Sequence, residues 1–378
     1  MTGRVLFHVQ HLLGIGHLQR TRRIAEALAA AGQHVTLVQG GPPVAELGAA
    51  PGIDIVRLPA IRARDASFAL VNEKGGPVDD ALRAARRERL LAAFRAVRPG
   101  VVAIEGFPFA RRAFRFELDP LIDAARRAGV PVVCSVRDIP TVRPEPARLA
   151  EIAGRVNADF AAVLVHGDPS FIPFDVAFPA VAAIARRMHY TGYIAGPALR
   201  SAEPEAPSGE VIVSAGGGAA GRSLLDAALA ARRDGWFADR GWRILAGAGR
   251  SAAELAALQD AAPPGVTIEG FRADLPALLR HCHVSVSQAG YNTVLDIVAA
   301  KVRAVLVPFA AERETEQTIR AEHLAVRGAA VLLREHELTA AALGAAIARA
   351  ARTEPAPLRL DTGGAGRAAA LIAGLAAG

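Results

Sequence analysis

The sequence predicts an α/β protein built from two Rossmann-like, doubly wound domains. Three observations carry this. Short continuous apolar runs alternate with stretches of helical period, the pattern of parallel sheets covered by helices. The alternation breaks once, at residues 196–209, where GPALRSAEPEAPSG is Pro-rich and has no apolar period, the composition of a linker. The chain has 378 residues, 52% of them hydrophobic, enough for two separate cores.

In the first half, strands fit at 4–9, 34–39, 53–58, 100–105, 131–136 and 160–166, and helices at 18–31, 79–98, 119–128 and 146–156. Residues 61–77 lack a clear period, end in Gly75-Gly76-Pro77, and are expected to form a mobile loop containing Phe68, Ala69, Leu70 and Val71. In the second half, strands fit at 210–214, 242–247, 266–269, 283–287, 303–307 and 329–332. Helices fit there at 221–233, 251–261, 274–281, 290–300, 314–327 and 339–352, with a last apolar helix at 365–376. The expected domains are 1–196 and 210–360, joined by 197–209. Two such halves imply a ligand cleft between them.

Charge is unevenly shared. The formal net charge is +7, and residues 1–195 hold 25 Lys+Arg against 18 Asp+Glu, so the excess belongs to the first half. Lys occurs only at Lys74 and Lys301; the rest is Arg, which suits planar oxyanions and so an acidic acceptor or an anionic membrane surface. A plain Ala/Arg composition bias accounts for it equally well. Scattered Arg and 5% aromatic residues offer no stacking platform, which argues against nucleic acid as a partner. Two cysteines, Cys134 and Cys282, make no disulfide framework. With no signal peptide or apolar span of ~18 residues apparent, a cytoplasmic protein is expected.

The chemistry-bearing stretches follow strands. Residues 283–324 read as strand, Gly turn, helix, strand, polar loop, helix. Gln288, Ala289, Gly290, Asn292 and Thr293 lie where a helix dipole and free N–H groups suit a phosphate, with Asp296 one turn on. Glu316 and Gln317 end the polar loop, where they could meet sugar hydroxyls. Gly216, Gly217 and Gly218 follow the first strand of the second half, either as a diphosphate-approaching turn or as an ordinary βα turn. The stretch lacks the Gly-Lys-Ser/Thr ending of a P-loop. Phe271 and Arg272 precede Asp274, either reading a base edge or serving as core and helix cap.

In the first half, Gly14 and Gly16 form a tight turn before His17, which is a candidate base for an acceptor hydroxyl or a packing residue. Glu105, Arg111, Arg137 and Asp138 follow strands at the same sheet edge, as acceptor-binding or base-tuning groups or as a structural ion network. His281-Cys282-His283 alternates along a strand and cannot close on one metal ion. No Asp-x-Asp occurs, so a dipole-stabilised diphosphate leaving without an obligatory metal is expected.

Together these stretches resemble the GT-B glycosyltransferases, specifically the MurG-like group with a family 28 C-terminal domain and its "predicted glycosyl transferase" subgroup. The resemblance rests on GIGH (14–17), FPFARRAF (107–114), CSVRDI (134–139), VHGDP (165–169), GFRADLPALL (270–279), SQAGYNTVLDI (287–297) and EQTIRAEHL (316–324). It implies donor binding in the second half and acceptor binding in the first. Gly290, Asn292 and Thr293 would bind diphosphate, Asp296 the ribose, Phe271 and Arg272 the base, and Gln317 the sugar. Two departures bear on the donor: Asp296 and Glu316 stand where MurG-type enzymes carry Glu and Gln. The resemblance also implies that residues 361–378 cross back onto the first domain.

The expected activity is inverting, metal-independent transfer of a hexose-type sugar from a UDP-sugar to an acceptor hydroxyl, with His17 or Glu105 as base and no cofactor. The acceptor is lipid-linked or a small metabolite, with peripheral contact at the inner face of the membrane through the basic half. The rivals are a UDP-sugar 2-epimerase of the same fold and a non-catalytic nucleotide-sugar-binding protein.

Overall fold

The computed structural model describes residues 3–12, 14–44, 48–65, 68–140, 145–196, 209–215, 221–247, 251–272, 274–309 and 315–377. They form two compact units: Met1–Ala195 with Asp361–Gly378, and Gly196–Leu360. The expected linker falls almost wholly at 197–208, outside the described residues.

Unit 1 runs β1 (Arg4–Val9), α1 (Gly16–Ala30), β2 (His34–Gln39), β3 (Ile53–Arg57), β4 (Ile61–Ala63), β5 (Leu70–Asn72), α2 (Asp80–Val97), β6 (Val101–Glu105), α3 (Arg115–Arg127), β7 (Val132–Arg137), α4 (Pro146–Asp159), β8 (Ala162–His166) and β9 (Met188–Tyr190). Its main sheet has the order β3-β2-β1-β6-β7-β8-β9, parallel throughout. Val5, Leu6, Phe7 and Val9 of β1 are all buried, as a central strand covered on both faces requires. The α1 face that covers it carries Leu18, Thr21, Ile24, Ala25 and Leu28 at helical spacing.

Residues 61–77 are not the loop the sequence suggests. β4 and β5 pair antiparallel, with Ile61 against Asn72 and Ala63 against Leu70. Ile61, Ala63 and Val71 are buried, and Phe68 near the tip is exposed. Three-residue strands are too short to show a period of two. α3 also begins earlier than expected and runs through Pro120.

Unit 1 contains a polar core. Arg86, fully buried, donates from Nε and Nη2 to the two oxygens of fully buried Glu117, each at 2.7 Å. It also donates to Gln10 Oε1 at 2.8 Å and to the carbonyls of Gly40 and Pro59 at 2.8 and 2.6 Å. A Cβ at Gly40 would stand 2.2 Å from Gln10 Oε1 and 2.6 Å from Arg86 Nη2, so only glycine admits this network.

Unit 2 runs β10 (Val211–Ser214), α5 (Arg222–Arg233), β11 (Trp242–Leu245), α6 (Ala252–Asp260), β12 (Val266–Glu269), α7 (Leu275–His281), β13 (Val284–Ser287), α8 (Tyr291–Ala300), β14 (Ala304–Leu306), α9 (Glu316–Val326), β15 (Val331–Leu332) and α10 (Ala340–Arg352). Its sheet has the order β12-β11-β10-β13-β14-β15, again all parallel. Its core is apolar, with Trp242, Ile244, Val284, Val286 and Ile347 at the centre.

The last helix, α11 (Gly364–Ala377), belongs to unit 1. Its Ala368, Ala369 and Ile372 share a core with Leu18, Ile24 and Leu28 of α1. Ile194 and Gly363 form an antiparallel bridge where the chain leaves and re-enters the unit. Among the described residues no helix is long and apolar enough to cross a membrane.

Candidate functional site

In each unit the strand order reverses once, between β1 and β6 and between β10 and β13. Ligands of open α/β sheets bind beyond the strand ends at such a switch point. His17, Glu105 and Arg111 gather at the first of these places and Gly290, Asn292 and Thr293 at the second, while Phe271 and Arg272 follow the edge strand β12.

In unit 1, β1 runs into the Gly14–Gly16 turn and α1, and β6 ends at Glu105 beside it. Gly14 has no atom within 4 Å of where a Cβ would stand, so the turn is open. Ile15 holds the N-cap position of α1 without a side-chain bond, and no acidic residue lies in the first turn. By contrast Asp79, Ser251 and Thr339 cap α2, α6 and α10 with side-chain bonds. The N–H groups at the start of α1 are thus left for a ligand or water.

His17 Nδ1 lies 2.6 Å from Glu105 Oε1. Arg20, one turn further along α1, donates from Nη2 to the same oxygen at 2.6 Å and stands 3.1 Å from His17 Nδ1. On the other oxygen, Arg111 Nη2 approaches Glu105 Oε2 to 3.9 Å. Glu105 is 1% exposed and His17 24%.

Burial alone would raise the Glu105 pKa, but His17, Arg20 and Arg111 outweigh it and hold the carboxyl well below its usual range. An ionised carboxylate only accepts, so His17 Nδ1 carries the proton and Nε2 the lone pair. The Arg20–His17 approach is then a contact between two donors sharing one acceptor. For His17 burial is the largest influence and brings its pKa down to about 4; Glu105 opposes it, while Arg111 and Arg20 add to it. At neutral pH His17 is an uncharged imidazole, and among the described residues its Nε2 has no hydrogen-bond partner. Glu105, expected as a possible base, is too buried and too strongly ionised for that role. It stands behind the imidazole, as the carboxylate does in a Ser-His-Asp triad.

The other acceptor-side expectations divide. Arg111 lies at the site, in a left-handed conformation (φ 61°) just after β6. Its own pKa is lowered by burial first and by Arg137 and Arg20, against Glu105, which places Arg137 within the same field. Asp138 is a correction. It is buried and accepts from Ile139 N at 2.9 Å and from Tyr193 Oη at 3.1 Å, so it fixes the turn after β7.

In unit 2, β13 ends at Ser287 and α8 begins after Gly290. Gly290 is the N-cap, makes no side-chain bond, and is followed by no acid in the first turn. A Cβ there would meet only Thr293 Oγ1, at 3.7 Å, so neither space nor dihedral (φ −63°) demands glycine. Asn292, Thr293 and Asp296 share the half-exposed face of α8, while Val294, Leu295 and Ile297 are buried.

Gln317 and Glu316 open α9. Gln317 Oε1 accepts from Ala289 N at 3.2 Å and from Phe309 N at 3.1 Å, so that oxygen staples the Gln288–Gly290 turn and does not face a sugar. Sequence reasoning missed Arg320. Fully buried, it donates to Ala289 O at 2.7 Å and stands 3.6 Å from Glu316 Oε2. Residue 289 is therefore held by α9 through both its N–H and its carbonyl. The signal was present in the Glu316/Arg320 spacing of four on one helix.

Phe271 is 63% exposed, which overturns the core reading of this residue. Asp274 makes no capping bond, because its carboxylate is engaged by Arg272 at 2.7 and 2.8 Å. Gly216, Gly217 and Gly218 fall outside the described residues. Among the described residues no group of three His, Cys, Asp or Glu side chains could hold a metal ion.

Two parallel-sheet units with this strand order have the GT-B fold. The crystal structure of MurG from Acinetobacter baumannii matches with a TM-score of 0.60 at 16% identity, over 98% of this chain and 99% of that one. Spinosyn rhamnosyltransferase SpnG complexed with thymidine diphosphate matches with a TM-score of 0.62 at 19% identity, over 99% and 96%.

Residues 240–371 match the Glycosyltransferase family 28 C-terminal domain, and the MurG-like resemblance stands. The UDP-N-acetylglucosamine--N-acetylmuramyl-(pentapeptide) pyrophosphoryl-undecaprenol N-acetylglucosamine transferase of Rhodospirillum centenum is 37% identical over 92 residues, 24% of either chain. Its counterpart in Methylibium petroleiphilum is 40% identical over 79 residues, 21% of this chain and 22% of the relative. The chain thus spans about a quarter of the length of the curated relatives it matches.

Proposed function

We propose that this protein is an inverting glycosyltransferase that moves a hexose-type sugar from a UDP-sugar to an acceptor hydroxyl without an obligatory metal. The observation that carries the reading is the His17–Glu105 pair at the unit 1 switch point: a neutral imidazole, its Nδ1–H held by a buried carboxylate and its Nε2 unengaged. In the proposed step His17 Nε2 takes the acceptor proton as the oxygen bonds to the anomeric carbon. The bond from that carbon to the diphosphate oxygen breaks, and UDP leaves with the electron pair. A single displacement inverts the centre.

The charge on the leaving diphosphate falls to the uncapped start of α8 at Gly290, with Asn292 and Thr293 beside it and Asp296 toward the ribose. Support for a nucleotide-sugar donor comes from the family 28 match over residues 240–371, which contains that helix. Phe271, exposed beyond β12, is assigned to the base.

The test begins with a thermal-shift panel of nucleotides and nucleotide sugars. A UDP-sugar should raise the melting temperature by mass action; no shift with any of them removes the reading. Transfer assays then cover lipid-linked and small-molecule alcohols, with vesicle co-sedimentation testing peripheral attachment. His17→Ala should keep UDP binding and lose about 10²–10⁴ in turnover. A new sugar seen by NMR without any acceptor would indicate an epimerase instead.

A further inference from the structure

The unit 1 site has more positive charge than a base needs. A His–carboxylate pair alone would favour the charged imidazolium, since an anion close by stabilises a cation. Here each oxygen of Glu105 has a guanidinium near it, one hydrogen-bonded and one at 3.9 Å. Arg20 occupies Oε1 together with His17, and Arg111 stands at Oε2. These two arginines come from different elements, α1 and the turn after β6, and both side chains are largely buried, at 4% and 12% exposure. Solvent therefore screens them little.

We propose that Arg20 and Arg111 are positioning residues that bracket Glu105 and hold His17 as a neutral base. The inference rests on the reading of His17 as the proton acceptor, and it assigns both arginines a role through Glu105 rather than through substrate. The two donors on Oε1 pin the carboxylate so that the His17 ring has one orientation. The two guanidinium charges offset the anion, so a proton on Nε2 is not retained before the acceptor arrives. Among the described residues the other charged or titratable groups in this field are Arg137 and His11 around Arg111, Cys134 near Glu105, and buried His166, which feels both Arg20 and Glu105. His166 is itself held neutral, between Ser135 Oγ at 2.7 Å and Thr191 Oγ1 at 2.9 Å.

The experiment needs no acceptor. The His17 imidazole is followed by ¹⁵N-histidine NMR against pH, its resonances assigned through His17→Gln. In the wild type His17 should stay neutral down to about pH 5, consistent with a burial-dominated site. Arg20→Gln and Arg111→Gln should each raise its midpoint by about one unit or more, the effect of removing a like charge at this range. Arg20→Lys, which keeps the charge, should stay within about half a unit of wild type. Far-UV circular dichroism reports whether each variant remains folded.

A folded Arg20→Gln or Arg111→Gln whose His17 midpoint stays at the wild-type value overturns the proposal. So does an Arg20→Lys that shifts as far as Arg20→Gln, since geometry and not charge would then be responsible. If Arg20→Gln does not fold, Arg20→Lys and Arg111→Gln still decide. The wider reading fails separately: shifts as expected together with undiminished sugar transfer by His17→Ala would leave the bracket standing and remove the base.

Discussion

The two switch points have the same architecture and opposite chemistry. In each, a central parallel strand ends in a turn that launches an uncapped helix, and the neighbouring strand across the reversal supplies a second edge. In unit 1 that space is filled with ionisable side chains: His17, Arg20, Glu105 and Arg111. In unit 2 the turn is held by an amide, Gln317, and by Arg320 from behind, and the start of α8 carries no side-chain cap. The contrast continues into the cores, where unit 1 buries the Arg86–Glu117 pair and unit 2 packs Trp242 among aliphatic residues. One doubly wound sheet can thus line its reversal either with paired ionisable side chains or with a bare helix start. The choice lies in whether side chains or peptide groups are aimed at the reversal.

The sharpest way to break the comparison is at Glu105. Glu105→Gln keeps the size but removes the acceptor that fixes the His17 tautomer, and should lower turnover by about 10³–10⁴. Donor affinity, measured by calorimetry with UDP, should stay unchanged. A loss of UDP binding would show that the two sites are not chemically separate.

Next comes the buried pair. Arg86→Met strands Glu117 in the unit 1 core and should destabilise that unit by about 3–5 kcal/mol. Scanning calorimetry should show the unit 1 transition falling while that of unit 2 stays in place.

Acid should also separate the units. Burial and the Arg20 charge, against Glu105, lower His166 to about 3, so between pH 6.5 and 3 the unfolded chain binds a proton that the fold refuses. Stability from this group is complete above pH 6.5 and declines as pH falls through the window, by about 2 kcal/mol at pH 5. His17 acts in the same direction down to about 4. Thermal melts at pH 7 and 5 should therefore show unit 1 losing more than unit 2.

The smallest expected change in stability is at Gly290. Gly290→Ala has room and an ordinary φ, so stability should move by no more than about 1 kcal/mol. The methyl would stand at the start of α8, and UDP affinity should drop. Unchanged UDP affinity would remove diphosphate binding from that turn.

Much of this was legible in the residues themselves. Unbroken apolar strands alternating with amphipathic helices announced both parallel sheets, and glycines directly after strands marked both turns. His17 and Glu105 were visible as residue types at strand ends. Their pairing was not, because the hydrogen bond joins positions 88 apart, through the adjacency of β1 and β6. Arg20 looked like one of many arginines in a basic helix; only its depth beside Glu105 distinguishes it. The 61–72 hairpin escaped because each strand is three residues long, and Asp138 because its partner, Tyr193, is 55 residues away. Gln317 lay where a sugar ligand was expected, but amide orientation is settled by the N–H groups of Ala289 and Phe309, which no spacing rule foretells.

The bridge between Ile194 and Gly363 makes unit 1 discontinuous along the chain, with unit 2 inserted as a loop between neighbouring points of its surface. During synthesis unit 2 emerges complete, while the core around α1 still lacks Ala368, Ala369 and Ile372. The helix that carries His17 is therefore backed last. A ribosome-stalled chain ending before α11 would hold a finished unit 2 and, in unit 1, an unbraced His17 imidazole.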